Sequence, residues 1–565
     1  MSGKQPAMHV AKIERRHGER VYSSYLVRRS VREGKRVRHV TVANVSKLPL
    51  EAIEALRRAL AGETLLASGE AFRVERSLPH GHVAAALELA RRLDLPRLLD
   101  RAPSQERSRA LAMICQRILK PGSKLACTRA LRHSTLAEEL GVEGVDADGL
   151  YGAMDWLLER QERIEARLAR RHLAEGALVL YDVSSSYFEG RTCPLLERGY
   201  SRDGRRGSLQ IVYGLLLDRE GRPLAIEVFP GGLHDDKTLS AQVEKLRRRF
   251  GFTTLVLVVD RGMVTKANLE TLGEEEGIRW ITALKAPQVR KLVREGSLQL
   301  SLFDELNLAE IESVAYPTER LVVCRNPLVA AERARKREDL LQATEALLAP
   351  IKERVEAGTL RGAAEIGLAV GAVLNRRRVK KHFELTIGDD RFAYRRKEAQ
   401  IAEEASLDGF YVLRTNVPAA DLPGPEVVRS YKALAQAERA FRTLKGPELE
   451  LRPIGHRLEK RVRAHAFLCL LAYYLEWHLR KAWAELLFDD EHPPLPEDPV
   501  AKAERSPEAR RKASTKRTAA GEICHSFRSL LDELALIVRS TNRVPGSEAT
   551  FDTVTEPKSD SGAGA

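Results

Sequence analysis

Cysteine is scarce in this chain, and its placement follows no pattern. The six cysteines, Cys115, Cys127, Cys193, Cys324, Cys469 and Cys524, form no C-x-x-C pair and no compact Cys/His cluster. That argues against a zinc site and a disulfide framework, and predicts reduced core thiols. No run of about 18 apolar residues occurs, so no transmembrane helix is expected. The opening MSGKQPAMHVAKIERRHGER lacks the apolar stretch of a signal peptide, which makes the cytoplasm the expected location. Internal repeats are missing too, as is any aromatic RNA-recognition motif. What is present is a soluble globular balance, 43% hydrophobic and 30% charged, in 565 residues. That length suits about two to four domains. The net charge of +14 suits a polyanionic partner, because Lys and Arg displace counterions from phosphates.

Along the chain, residues 8–45 alternate polar and apolar around an EGK turn, which predicts a basic β-hairpin or meander. A short helix follows at Leu50–Gly62, so 1–62 reads as a first unit. Residues 63–176 read as a helical DNA-binding or dimerisation region, with breaks at Pro103 and at Pro121-Gly122-Ser123. At Ala177 the character changes to β-rich runs, ALVLYDVSSSYFEG, LQIVYGLLLDREGRPLAIEVFPGG and TTLVLVVDRG, with DREGR as a hairpin turn. The helices DKTLSAQVEKLRRRFG and TKANLETLGEEEG and the strand IRWITALK complete a mixed α/β sheet over 177–285, in an order compatible with a ribonuclease-H-like domain. Residues 286–408, with the strand-like ERLVVCRNP, a long charged helix and KKHFELTIGDDRFAYRR, read as an inserted subdomain. DGFYVLRTN then resumes the sheet, and 409–487 closes the domain with a long helix from Pro425 to Lys445 and an apolar helix at Arg461–Leu487. Residues 488–565 read as linker, short helix and disordered tail.

Two acidic residues end apolar runs, Asp182 in VLYDVSSS and Asp260 in VLVVDRG. Carboxylates on neighbouring strands repel unless a cation lies between them, and Mg²⁺ or Mn²⁺ fits that need. Taken singly, each Asp reads as readily as a turn residue or a helix N-cap. The segment SYKALAQAERAFRTLKG adds a third element. A helix there sets Tyr431, Leu434, Glu438 and Lys445 along one face, where Glu438 can close a metal site or simply pair with Arg442.

These residues resemble the DDE transposases of bacterial insertion sequences, in the "IS four" superfamily and its "sixteen thirty-four" branch. The hallmark Y-x2-R-x3-E-x6-K is matched at Tyr431, Glu438 and Lys445, while Leu434 stands where Arg is usual. The setting Asp182-Val183-Ser184, the stretch VVDRGM, and the segments DGFYVLRTN and PIGHRLEKRVRAHAFLCLLAYYL extend the resemblance over most of residues 8–487. It implies a catalytic and metal-holding triad of Asp182, Asp260 and Glu438, with two Mg²⁺ (or Mn²⁺) ions per site. It also implies cleavage of the element's ends and strand transfer by 3′-hydroxyl attack. Tyr431 and Lys445 would contact DNA phosphates, joined by Arg261, Arg439 and Arg442. The partners implied are double-stranded DNA, as terminal inverted repeats and as target, and a second copy in a homodimeric synaptic complex.

Other residues carry weaker signals. Asp235 or Asp236 reads as the cap of the helix after GGLH. Ser184, Ser185 and Ser186 lack a G-x-S-x-G elbow, so strand alternation explains them. His456, Arg457, Arg463 and His465 read equally as a DNA path or a solvated helix face, and Trp280 as core. The rival functions are a ribonuclease-H-like nuclease without strand transfer and a catalytically impaired DNA-binding derivative.

Overall fold

The computed structural model describes residues 8–17, 20–33, 36–63, 72–263, 265, 268, 277–303, 307–377, 379–545 and 547–556. The helix expected over TKANLETLGEEEG falls largely outside them. The chain divides into two compact units, one formed by residues 1–78 with 538–556, the other centred on 79–537.

In the first unit, strands β1 (Met8–His17), β2 (Arg20–Glu33) and β3 (Arg36–Asn44) form an antiparallel meander, with a bulge between Val27 and Arg28. Alternation sends Val10 and Val27 inward against Ile53 of the helix Leu50–Leu60, which gives this part a small core of its own. A second sheet joins β4 (Arg73–Pro79) to Val538–Arg543 and Thr550–Val554. Two expectations change here: residues 73–79 are a strand and not helical, and 550–554 are a strand and not tail. VRSTNR carries few apolar residues, and its partner β4 is remote in sequence, while TFDTV pairs with VRSTNR as a local hairpin.

The second unit begins with helices as the sequence predicts. Gln105–Leu119 is capped by Ser104, whose Oγ accepts the Arg107 N–H, and Ala147–Leu158 by Asp146, which accepts the Gly149 N–H. All six cysteines are buried and free. The sheet that follows contains β5 (Leu178–Tyr187), β6 (Glu197–Arg198), β7 (Leu209–Asp218), β8 (Pro223–Pro230), β9 (Leu255–Val259) and β10 (Ile278–Ala283). It also takes in β11 (Leu308–Ile311), β12 (Arg320–Arg325) and β15 (Phe410–Thr415), in the order β11-β12-β15-β10-β9-β5-β7-β6 with β8 on β7. β5, β9 and β10 run parallel, and β7, β8 and β15 run against their neighbours.

Both faces of this sheet are covered, which is why its strands read as continuous apolar runs. One face, with Leu180 and Val258, packs on the helices Ala435–Lys445 and Glu459–Ala482. The other, with Tyr181 and Val259, packs on Leu239, Val243, Leu246 and Phe250. Under that second layer Lys245 is 2% exposed and bridges Glu165 (3.2 Å) and Glu227 (2.7 Å). At Gly214 of β7 a Cβ would lie 2.3 Å from the Tyr181 hydroxyl, so only glycine lets that ring cross the strand.

The inserted segment is shorter than 286–408. ERLVVCRNP supplies β12, which pairs with β15 in the central sheet, Val322 opposite Leu413. The partner is far away in the sequence, and no local pattern announces it. The insertion proper lies between these strands. It holds the helices Pro327–Glu356, Ala363–Arg377 and Glu398–Ala405 and the hairpin of β13 (Phe383–Ile387) and β14 (Phe392–Arg396), around its own core of Leu348, Ile366, Val370 and Phe392. Residues 488–520 also differ from a linker: Val500 is fully buried, and its carbonyl accepts hydrogen bonds from Lys432 and Asn326.

Candidate active site

The parallel register of β5 and β9 ends with Tyr181 opposite Val259, so Asp182 and Asp260 follow side by side. Both fall two residues beyond core positions of the same face, Leu180 and Val258. Strand β5 does not stop at Asp182, as the sequence suggested. It runs on to Tyr187 because β7 continues to pair with it, and only the parallel half of the ladder ends there. Asp182 is partly buried, and its Oδ1 accepts the Val183 N–H at 2.7 Å. Burial pushes its carboxyl up to about 7, the Asp260 charge pushes the same way, and the Val183 N–H and Arg202 oppose them. Asp260 is exposed, and its Oδ2 accepts the Gly262 N–H at 3.2 Å. Burial, followed by the negative charge of Asp260, raises the pKa of Tyr431.

Arg202 and Asp235 join this pair, and sequence reasoning missed the partnership. Asp235 opens a short 3₁₀ turn without capping it. Its carboxylate instead pairs with Arg202, and both charges act on Asp182. Arg202 belongs to the loop 199–208, whose anchor is Asp203. That carboxylate, 2% exposed, meets Lys445 at 3.0 Å and Arg452 at 2.6 Å and accepts the Tyr187 N–H at 3.1 Å. Lys445 also donates to the Ser185 carbonyl at 2.7 Å. Its ammonium is thus committed inside the protein. Ser184, Ser185 and Ser186 are buried, and the Ser185 Oγ accepts the Arg202 N–H at 3.0 Å.

Tyr431, Leu434, Glu438 and Lys445 do not share one unbroken helix. Gly424–Lys432 ends before Leu434, and a new helix, Ala435–Lys445, begins after it. Between them Gln436 N–H donates to Ala433 O at 2.8 Å and Ala437 N–H to Leu434 O at 2.9 Å, the i to i+3 pattern of a tight 3₁₀ turn. Leu434 packs against the main core at this junction, an apolar role that an arginine would not fill. Glu438 is exposed. Among the described residues no group of three or more His, Cys, Asp or Glu side chains could hold a metal, so the structure brings the two aspartates together without Glu438.

Arg439 and Arg442 are exposed on that helix, with no ion-pair partner among the described residues. The helix face after it is not a DNA path as a whole. His465 is buried, with Nε2 3.1 Å from the Leu451 carbonyl, and Arg463 donates to Val228 O at 2.6 Å. Trp280 is core, 3% exposed. A cavity of about 620 Å³ at the opposite ends of the strands, lined by His172, Arg222, Thr254, Gly277 and Arg279, contains none of the site residues.

Chemically, two hard oxygen ligands side by side at strand ends suit a divalent cation, and the upward push of Asp260 on the Asp182 carboxyl is the repulsion such an ion would relieve. The residues present therefore fit a metal, with the third protein ligand not assembled.

Comparisons with known proteins add to this. Residues 191–475 match the family model described as "Transposase DDE domain", a stretch that includes Asp260 and Glu438 and begins after Asp182. Residues 10–71 match "IS1634 family transposase, N-terminal domain". No curated protein matches the chain. Among solved structures, a piggyBac transposase synaptic complex with hairpin DNA is similar at 8% identity and TM-score 0.35, covering 80% of this chain and 76% of that one. A Mos1 transposase paired-end complex with left transposon end gives 14% identity and TM-score 0.15, covering 44% and 70%. At those scores neither bears on the fold.

Proposed function

The chain belongs to the DDE transposase family, and from that premise we propose that it cuts the ends of an insertion element and joins them to target DNA by metal-dependent phosphoryl transfer at Asp182, Asp260 and Glu438. It is a DNA transposase by family. The observation that carries the finer reading is the placement of Asp182 and Asp260 side by side on parallel strands. The strand order β8-β7-β5-β9-β10, three antiparallel strands and then two parallel ones, supports reading the sheet as ribonuclease-H-like.

Asp182 and Asp260 would hold Mg²⁺ or Mn²⁺, two ions per site, with Glu438 closing the site from the helix that packs on β5. Bound metal supplies the positive charge that activates a water or a DNA 3′-hydroxyl and stabilises the leaving oxygen. The chain's own groups orient the reaction. The Gly262 N–H fixes the Asp260 carboxylate, and Arg202, paired with Asp235, adds positive charge that acts on Asp182 where a phosphate can approach. Arg261, Arg439 and Arg442 contact the DNA backbone from exposed positions. Lys445 serves by holding the 199–208 loop through Asp203. The working complex pairs two DNA ends and is a homodimer in the cytoplasm. Among the described residues no helix is long and apolar enough to cross a membrane.

The test is excision of the element from a plasmid with its own flanks, followed by sequencing of joined products. Asp182→Asn, Asp260→Asn and Glu438→Gln are each expected to abolish excision and joining while DNA binding persists. Unchanged excision in any one of them removes that residue from the site. One observation, the absence of Glu438 from the acidic pair, favours a second reading as a catalytically impaired DNA-binding derivative. A parent protein that binds element ends but neither cuts nor joins would establish it, and cutting without joining would indicate a plain nuclease.

A further inference from the structure

A concavity of about 510 Å³ lies where the central sheet meets the inserted subdomain. The sheet side contributes Arg261, which follows Asp260, and Arg290 of the helix Ala286–Arg294. The insertion contributes Arg333, Lys336 and Arg337 of the helix Pro327–Glu356, and Lys381. Much of this charge is already spoken for: Arg337 pairs with Asp408, Lys336 with Glu332 and Lys381 with Glu404. Arg261, Arg290 and Arg333 have no ion-pair partner among the described residues. The Arg337 side chain is 11% exposed, and its Nη1 is buried with no hydrogen-bond acceptor. A buried guanidinium N–H left unpaired costs free energy, and like charges gathered in one hollow repel. The repulsion among these charges is relieved when an anion with several oxygens enters.

The occupant is longer than one anion. A second concavity of about 390 Å³ shares Arg290 and Lys381 and adds Lys291 and Arg294, which pair with Glu295 and Glu403. The basic residues therefore begin next to Asp260 and continue along the helix Ala286–Arg294, opposite Lys381 of the insertion, as a chain of phosphates would require.

We propose that this hollow is a binding track for the DNA sugar–phosphate backbone, with Arg290 and Arg333 as phosphate ligands that deliver the strand to Asp260. The inference rests on the active-site reading above and extends it to the inserted subdomain, which becomes part of the DNA-binding surface.

The experiment is binding of a fluorescently labelled, mixed-sequence DNA duplex by the full chain across a range of NaCl concentrations. Each lost phosphate contact lowers the slope of log K against log[salt] by about 0.9, so Arg290→Ala/Arg333→Ala is expected to lower it by roughly 1.8. Arg290→Lys/Arg333→Lys keeps the charges and should keep most of the slope. Lys352→Ala/Arg354→Ala removes two charges from the same long helix outside the hollow and should leave the slope near the parent value. An unchanged slope in the alanine pair, with melting temperature and circular dichroism like the parent, overturns the track, as does an equal loss in the control pair. If inorganic phosphate raises the parent melting temperature through Arg290 and Arg333 while the DNA slope is unaffected, the hollow takes a small anion and the proposal also fails. Asp260→Asn, assayed in parallel, should bind DNA with the parent slope but not cut. Cutting by that variant would defeat the active-site reading without touching the slope result.

Discussion

Replacing Asp203 by Asn removes the one negative charge shared by Lys445 and Arg452 in an almost fully buried setting. Breaking a buried ion pair by taking one partner away costs about 3–5 kcal/mol, because the remaining charge stays buried without compensation. Arg452, 31% exposed, can turn towards water, whereas Lys445 at 10% cannot, so the lower end of the range, about 3 kcal/mol, is expected. This energy holds the 199–208 loop, whose Arg205 and Arg206 are trypsin sites. Trypsin cuts the opened loop, and its rate follows the open population when reclosing is fast. A loss of about 3 kcal/mol then raises cleavage in this loop roughly a hundredfold, read by mass spectrometry of the fragments without DNA. Lys445→Ala should accelerate the same cut, and the double variant should fall well short of the sum, with a coupling of at least about 1 kcal/mol. If Lys445→Ala weakens DNA binding but leaves the trypsin rate within about threefold of the parent, the ammonium serves DNA directly and the anchoring argument is wrong.

Three further outcomes follow from the packing. Lys245→Ala strands Glu165, which is 1% exposed, and should cost about 3–5 kcal/mol, whereas Lys245→Met with Glu165→Leu should recover most of the lost melting temperature; equal melting of single and paired variants would contradict this. Gly214→Ala forces the Tyr181 ring away from β7 and should cost about 1–3 kcal/mol together with excision activity, since Asp182 is the next residue; a variant with parent stability would show that the ring has room to move. Burial holds His82, His456 and His478 down at about 4, so each is neutral when folded and takes up a proton on unfolding once the pH drops below about 6.5. Stability should therefore fall as the pH falls from about 6.5 towards 4, and His478→Phe should flatten the plot of melting temperature against pH; an unaltered curve would mean that this histidine does not contribute.

The legible parts of the fold were those with local signals. The meander of residues 8–45, the DREGR turn between β7 and β8, and the runs around Asp182 and Asp260 carry their periodicity and turn residues in consecutive positions. The parts that were not legible depend on distant partners. Strand β12 joins the sheet only because β15 returns to it, and Asp203 becomes an anchor only because Lys445 and Arg452 arrive from another helix and its following loop. Leu434 is instructive in another way. As a departure from a motif it had no evident meaning, but the chain breaks its helix at that residue and packs the side chain inward.

The pairing of β4 with Val538–Arg543 has a consequence for the order in which the molecule is made. Residues 73–79 leave the ribosome early, but the strand that pairs with them, Val538–Arg543, is translated only after Pro79–Ile537. During synthesis β4 presents an open edge, which is a template for pairing with other chains. The larger unit can fold while that edge waits, so the first unit is the last to be completed. A ribosome that stalls or terminates before residue 538 releases a chain with all its site residues and an unfinished sheet. Such products should be judged by their tendency to associate as much as by their activity.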